Sequence, residues 1–384
     1  MDRSGFAYDL LCATLMLATL GMIMVFSATH VIAKEQFGSP YYFIKHGSVH
    51  LALGIMVLYI CMKVPYRVYR SLAVWGLLIG VLSLVSVLLW GREVRGARRW
   101  LSIFNFTIQP VEFVKYSLII FIADAIARAR GSANRLREDF LPVFTVSAII
   151  AVLLVLQPNI SNASLIFGIT FILLYLGRCR LTHLALSYGV LMVVAVPYLY
   201  FQPHVRNRII GILNSGEYLL TQNWHVQQSL ISLGSGFIYG CGPGNGHQKY
   251  RFLPDAHTDF IYSIVGEELG LIGTMLVLGI IIFIFYKALM IARSAPDTFG
   301  RYLALGIGLI IILTSVVNIA MTTGLIPTVG LPLPFVSYGG TSLLTSMAAV
   351  GILLNISSAR RYGRNRRRSP GAGKPVFARK KEGG

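Results

Sequence analysis

Arg251-Phe252-Leu253-Pro254-Asp255-Ala256-His257-Thr258-Asp259-Phe260 closes the longest polar segment of the chain and leads at once into an apolar run, 264–291, that carries Glu267-Glu268 near its start. The run exceeds the roughly 20 residues that a helix needs to cross hydrocarbon. Carboxylates at the point of re-entry are costly unless paired or solvated, so they mark a candidate site. The stretch thus carries a membrane helix and, at its mouth, a place to look for chemistry.

Working outward, nine further apolar runs appear at 8–29, 45–63, 71–90, 110–127, 141–157, 163–177, 181–201, 302–323 and 338–356. With 55% hydrophobic and 13% charged residues and a mean hydropathy of +0.67, the composition is far from that of a soluble domain. Isolated strands do not span lipid, so the expected fold is all-α: a polytopic bundle of about ten transmembrane helices. The first run lacks the short apolar core and small-residue cleavage site of a removed signal peptide.

The net charge of +19 reads mostly as topology. Basic residues gather in alternate connections (Lys63, Arg67, Arg70; Arg128, Arg130, Arg135, Arg137; Arg178, Arg180; Lys287, Arg293, Arg301) and in a tail from Arg360 to Lys381. The positive-inside rule makes these cytoplasmic and, with an even number of spans, places both termini inside. A domain boundary is expected at 358, with 359–384 a basic disordered tail against anionic lipid; nucleic-acid binding is the weaker reading. Cys12, Cys61, Cys179 and Cys241 share no oxidising aqueous face, so no disulfide is expected.

Two connections stand out on the opposite, extracytoplasmic side. The segment 91–109 holds Arg92, Arg95, Arg98 and Arg99 beside Trp100, where positive charge is disfavoured. Guanidinium groups bind phosphate bidentately, and an indole lies well against an apolar chain or a sugar face; headgroup snorkelling with an interfacial Trp is the plainer explanation. The loop 202–258, between the seventh and eighth runs, is too long for a bare connection. It contains Arg206, Arg208, four of the eight histidines (His204, His225, His247, His257), Gln227-Gln228-Ser229 and a glycine-rich half. Glycines let a backbone approach a ligand closely, although the same composition also makes an ordinary flexible loop. The histidine spacings are not a zinc pattern, and no metal ligand is assigned.

Within the runs, Glu112 and Lys115 are three apart on one helix face and able to neutralise each other. Asp124 and Arg128 read as a structural pair. Glu267 and Glu268 cannot share a helix face, so at most one is expected to point into a common polar interior. The prolines of the uncharged connection 324–340 forbid regular helix there.

At this point the chain, from about residue 8 to 358, resembles the SEDS family of bacterial wall-synthesis proteins (FtsW, RodA, SpoVE). The similarity rests on Gly96-Ala97-Arg98-Arg99-Trp100-Leu101, on Ile108-Gln109-Pro110-Val111-Glu112-Phe113-Val114-Lys115 and on Gln227-Gln228-Ser229-Leu230. It rests most on Leu253 to Ile261 leading to Gly266-Glu267-Glu268-Leu269-Gly270, and on Thr323 to Pro327 leading to Leu333-Pro334-Phe335-Val336-Ser337-Tyr338-Gly339-Gly340. Val25-Phe26-Ser27-Ala28-Thr29 and Gly234-Ser235-Gly236 are more similar to the division branch, FtsW. Two positions depart from the family pattern. Val111 stands where a serine is usual, and Asn159 stands where an aspartate is usual, so a role for an acid at 159 does not carry over.

The resemblance implies a peptidoglycan glycosyltransferase that polymerises lipid II, a disaccharide-pentapeptide on undecaprenyl pyrophosphate, at the outer face of the bacterial cytoplasmic membrane and in cell division at the septum. It implies a partner, a class B penicillin-binding protein, among other division-complex membrane proteins. The family's essential aspartate falls on Asp259, taken here as general base. Candidate ligands for substrate and pyrophosphate are Arg98, Arg99, Trp100, Lys115, Arg206, Arg208 and His257. Glu112, Gln109, Asp255, Glu267, Glu268 and Ser337 are accessory or structural. No acidic cluster forms a dedicated cage, and a divalent cation (Mg²⁺ or Mn²⁺) would ride on the pyrophosphate. The rival readings are a flippase for the same precursor and a non-catalytic scaffold of the division complex. The flippase lacks a comparable headgroup motif on the cytoplasmic side, and the scaffold has no need of Asp259.

Overall fold

The computed structural model describes residues 5–94, 97–103, 106–129, 136–201, 224–248 and 253–368. Each of the ten apolar runs coincides with a helix: α1 Gly5–Phe37, α2 Tyr42–Lys63, α4 Ala73–Trp90, α5 Pro110–Arg128, α6 Leu141–Leu156, α7 Ile160–Leu176, α8 Leu181–Phe201, α10 Ile261–Ser294, α11 Thr298–Thr322 and α12 Gly340–Arg368. The described residues also form two short helices, α3 (Tyr66–Ser71) and α9 (Trp224–Ser235), the latter inside the long loop, and a π-helical turn at Leu136–Phe140 that leads into α6. The protein is therefore a helical, polytopic membrane chain. Seven of these helices are long and apolar enough to span a bilayer by themselves. α5 is held back by Glu112, Lys115, Asp124 and Arg128, and it has a reason to carry them: most of its residues are buried at the centre of the bundle, against α4 and α11.

Two features depart from the sequence expectation. The connection 91–109 is not bare loop but an antiparallel meander of three strands, β1 Arg92–Val94, β2 Ala97–Ile103 and β3 Phe106–Ile108. Its backbone groups bond within the hairpins, which an all-helical reading left unassigned. At the other end, α12 runs on to Arg368, past the boundary expected at 358. No proline interrupts it before Pro370, and Ala and Arg are strong helix formers. Residues 369–384 lie outside the described residues. So do Arg206, Arg208 and the segment 202–223.

The connection after α11 does not simply lie over the bundle. Leu331, Leu333, Phe335 and Val336 are buried. This segment presses on the middle of α1, where a Cβ on Gly21 would lie 2.6 Å from Val336 Cα. On the opposite face, side chains tie the helix ends together. Arg70 and Arg128 both pair with Asp124 (2.7 and 3.1 Å), the Tyr66 hydroxyl donates to Asp297 (2.7 Å), and Lys287 pairs with Asp9 (2.6 Å). The expectation of a structural Asp124–Arg128 pair holds. Among the described residues, which include all four cysteines, there is no disulfide.

α10 is broken at Gly270, about two and a half turns after its start at Ile261. Gly270 sits at φ 67°, ψ −163°, a conformation open in practice to glycine. A regular helix would send the N–H groups of Leu271 and Ile272 to the carbonyls of Glu267 and Glu268. Here those two N–H groups donate to Phe237 O (2.9 Å) and Ile238 O (3.2 Å) of the glycine-rich loop. The freed carbonyls of Glu267 and Glu268 accept from Cys241 N (2.9 Å) and Gly242 N (3.1 Å). The loop thus threads into the break and satisfies all four groups. A Cβ at 270 would overlap the backbone of Ile238 and Gly240. Gly270→Ala is therefore expected to destabilise by more than the ~1–3 kcal/mol of its backbone strain, read as a lower melting temperature in detergent. An unchanged melting temperature would contradict this account of the break.

Candidate active site

Asp259 lies two residues before α10, in a run of turns. Asp255, at φ 54°, opens that run, and its carbonyl accepts from Thr258 N (3.0 Å), Thr258 Oγ1 (3.2 Å) and Phe260 N (3.3 Å). The N-cap of α10 is Phe260, so Asp259 lies one residue outside the capping position. What holds the turn is a row of bonds to three successive carbonyls. Tyr338 N donates to His257 O (2.9 Å), Ser337 Oγ to Thr258 O (2.6 Å) and Asn318 Nδ2 to Asp259 O (2.8 Å). Ser337 Oγ in turn accepts from Leu333 N (2.8 Å), locking the buried connection to the turn. His257 places its ring between Phe43 and Tyr338, with centroids 5.2 and 5.8 Å away.

A cation lies near the carboxylate. A Cβ built on Gly330 would lie 3.7 Å from Asp259 Oδ2 and 3.6 Å from Arg99 Nη1. The side-chain ends of Asp259 and Arg99 therefore both border the space beside Gly330, which the absence of a Cβ leaves open. The other terminal nitrogen of Arg99 donates to Pro158 O, in the turn between α6 and α7. A β-bulge sets Arg99 apart from Arg98: Arg92 pairs with Trp100 and Glu93 with Arg98, so Arg99 is the extra residue of β2, with no cross-strand partner in β1, and the bulge re-aims it. Arg98 is exposed and pairs with Glu93 across the hairpin at 3.5 Å. Trp100, beyond the bulge, is half-buried and opposite Arg92 in the register.

These elements agree with what the chain is related to. Residues 8–362 match the family model FtsW/RodA/SpoVE, described as cell cycle protein. The chain belongs to the SEDS family. Among its relatives, the probable peptidoglycan glycosyltransferase FtsW of Trichlorobacter lovleyi is 40% identical over 356 residues, 91% of this chain and 93% of that one. The stage V sporulation protein E of Bacillus subtilis is 34% identical, covering 92% and 97%. The fold is that of a chain solved in a study of structural coordination of polymerization and crosslinking by a peptidoglycan synthase complex (TM-score 0.73, 24% identity, 92% and 98% covered). It is also that of the rod shape determining protein RodA of Thermus thermophilus (TM-score 0.68, 22% identity, 92% and 97% covered).

Within this SEDS chain, the remaining sequence-derived residues fall into two groups. Glu112 and Lys115 form an ion pair of 2.8 Å, each side chain 3% exposed, and Gln109 at the head of the same helix is buried, its N–H donating to Thr341 Oγ1 at 3.2 Å. Glu267 and Glu268 overturn the expectation that at most one enters the polar interior. Both are buried, and both carboxylates approach Gly246. Glu267 accepts from His247 N (2.5 Å), Gln248 N (3.2 Å) and Ser232 Oγ (3.2 Å), whereas Glu268 accepts from Gly244 N (3.0 Å) and, through both oxygens, from Ser27 Oγ (2.6 and 2.7 Å). Helix geometry does send the two side chains apart, but the loop folds over the break and meets each of them.

Sequence reasoning missed Asn318, Gly330 and Pro158. An asparagine buried in an otherwise apolar helix was the available signal for the first; the other two act through backbone position and carry no compositional mark. The Glu112–Lys115 pair yields a direct expectation. Lys115→Met strands a buried carboxylate and costs about 3–5 kcal/mol, and Glu112→Gln added to it recovers much of the loss. Thermal unfolding of the two single variants and the double variant measures this; equal losses in Lys115→Met and the double variant would refute it.

Proposed function

We infer that this SEDS protein is a peptidoglycan glycosyltransferase that joins lipid II units into glycan strands, with Asp259 as general base. The observation that carries this reading is that the Asp259 carboxylate and the Arg99 guanidinium both border the open space beside Gly330. The relatives' names as peptidoglycan glycosyltransferases support it. Glycan extension requires a sugar hydroxyl to attack the anomeric carbon of a second sugar, whose bond to the lipid pyrophosphate breaks as the new glycosidic bond forms. The proton of the attacking hydroxyl passes to Asp259, a step typically worth about 10²–10⁴-fold. The departing pyrophosphate carries the electron pair of the broken bond, and Arg99, which borders the same space as the base, is there to meet that charge. Arg206 and Arg208 remain candidates for the same task from the long loop, and His257 and Trp100 for contact with the sugars.

A divalent cation, Mg²⁺ or Mn²⁺, belongs to the proposal as a companion of the pyrophosphate. Among the described residues no three His, Cys, Asp or Glu side chains converge as a cage. The chain therefore fits an ion held chiefly by phosphate oxygens and one carboxylate, which would neutralise leaving-group charge.

In this reading the face that bears the sheet and Asp259 is extracytoplasmic, both termini are cytoplasmic, and all ten apolar helices span the inner membrane. The partner is a class B penicillin-binding protein, and the greater likeness to FtsW points to the division septum and its other membrane proteins. Labelled lipid II given to the complex with that partner, its transpeptidase inactivated, should yield a glycan ladder. Asp259→Ala should lower the rate by about 10²–10⁴-fold while folding and binding the partner. Equal ladders would remove Asp259 from the chemistry. No ladder from either, with a known polymerase active alongside, would favour a flippase or a scaffold.

A further inference from the structure

Asn318 lies on α11, fully buried at 0% exposure, and takes no part in any motif singled out in the sequence. An amide in such surroundings is costly unless it is bonded. Both bonds of its Nδ2 go to carbonyls of non-helical backbone: Asp259 O at 2.8 Å and Leu331 O at 2.8 Å. The two acceptors also fix which way the amide is turned, since the reverse orientation would set its oxygen against two carbonyl oxygens.

The two residues so joined matter for different reasons. Asp259 bears the base. Leu331 follows Gly330, the residue beside which the base and Arg99 border one open space. Ser337 and Tyr338 hold the neighbouring carbonyls of Thr258 and His257, but they belong to the same buried connection as Leu331. They can bind the two irregular segments to each other without fixing either to the bundle. Asn318 supplies that third point, from a helix packed against α5 and α10. We propose that Asn318 is a positioning residue, setting the Asp259 turn and the Gly330 wall at a fixed separation and so fixing where the base meets the sugar hydroxyl. The proposal rests on the reading of Asp259 as base.

Asn318→Leu keeps the side-chain size and removes the donor; Asn318→Ala removes the donor without risk of overpacking. Each is assayed with lipid II in the complex with the class B partner, normalised to protein that co-purifies with that partner. A misplacement of the order of 1 Å can lower a rate about 100-fold, so kcat is expected to fall by about 10- to 100-fold with KM changed less than about twofold. Moving Asp259 relative to Arg99 and His257 also displaces the acid limb of the kcat/KM–pH profile, whereas a mere loss of folded enzyme scales the profile in place. If the leucine variant does not fold, the alanine variant decides. Wild-type kcat in either folded variant, or a scaled but unmoved profile, overturns the proposal. Asp259→Asn run in parallel separates the two claims. If it remains active, the base assignment falls and the positioning role with it; if it is inactive while the Asn318 variants are not, the positioning role falls by itself.

Discussion

Irregular backbone inside a bundle of apolar helices has no water to fall back on, so each freed N–H and C=O must be met by protein. This constraint governs the half of the molecule that carries the site. Where Gly270 breaks α10, the loop 237–242 enters and completes the four bonds that the helix gives up. Where the chain turns before α10, the carbonyls of His257, Thr258 and Asp259 are taken by Tyr338, Ser337 and Asn318. The two devices flank the first turns of one helix, and between them they leave that helix end little freedom.

The acidic pair follows from the same constraint. Glu267 and Glu268 precede the break, and their side chains receive the N–H groups of Gly244, His247 and Gln248 while their carbonyls receive those of Cys241 and Gly242. One short stretch of helix therefore serves as the acceptor surface for most of the glycine-rich loop. Glycine is needed there for approach as much as for conformation: a Cβ on Gly236 or Gly240 would overlap the helix carbonyls of Gly266 or Glu268. Charged groups are costly to bury, and these are retained where donors converge on them.

The helices were legible because hydrophobic length is a direct physical signal, and all ten runs reappear as helices. The site was legible in part. A carboxylate at a membrane re-entry point drew attention to this stretch and the family resemblance singled out Asp259, while the arginines beside Trp100 offered Arg98 and Arg99 alike. What composition did not reveal was which arginine is set apart, because that depends on a bulge in a hairpin, and the polar residues there mask the short strands. Nor did it reveal Gly330 and Pro158, whose parts depend on where their backbone lies. The two glutamates were misjudged for a related reason: helix periodicity describes one element, and the loop that receives both side chains comes from elsewhere in the sequence.

The hairpin has a further consequence for how such a chain can change over time. Arg99 reaches the space beside the carboxylate as the extra residue of a bulge in β2, between Arg98 and Trp100, which pair with Glu93 and Arg92. Loss of one residue that closed the bulge would restore an unbroken register, and every residue of β2 on one side of it would then change face against β1. Substitutions at these positions act one side chain at a time, but a change of length acts on the whole strand at once. The connection before α5 is thereby held to its length by one bulged residue in a seven-residue strand, although it lies outside the helices and has the composition of an ordinary polar loop.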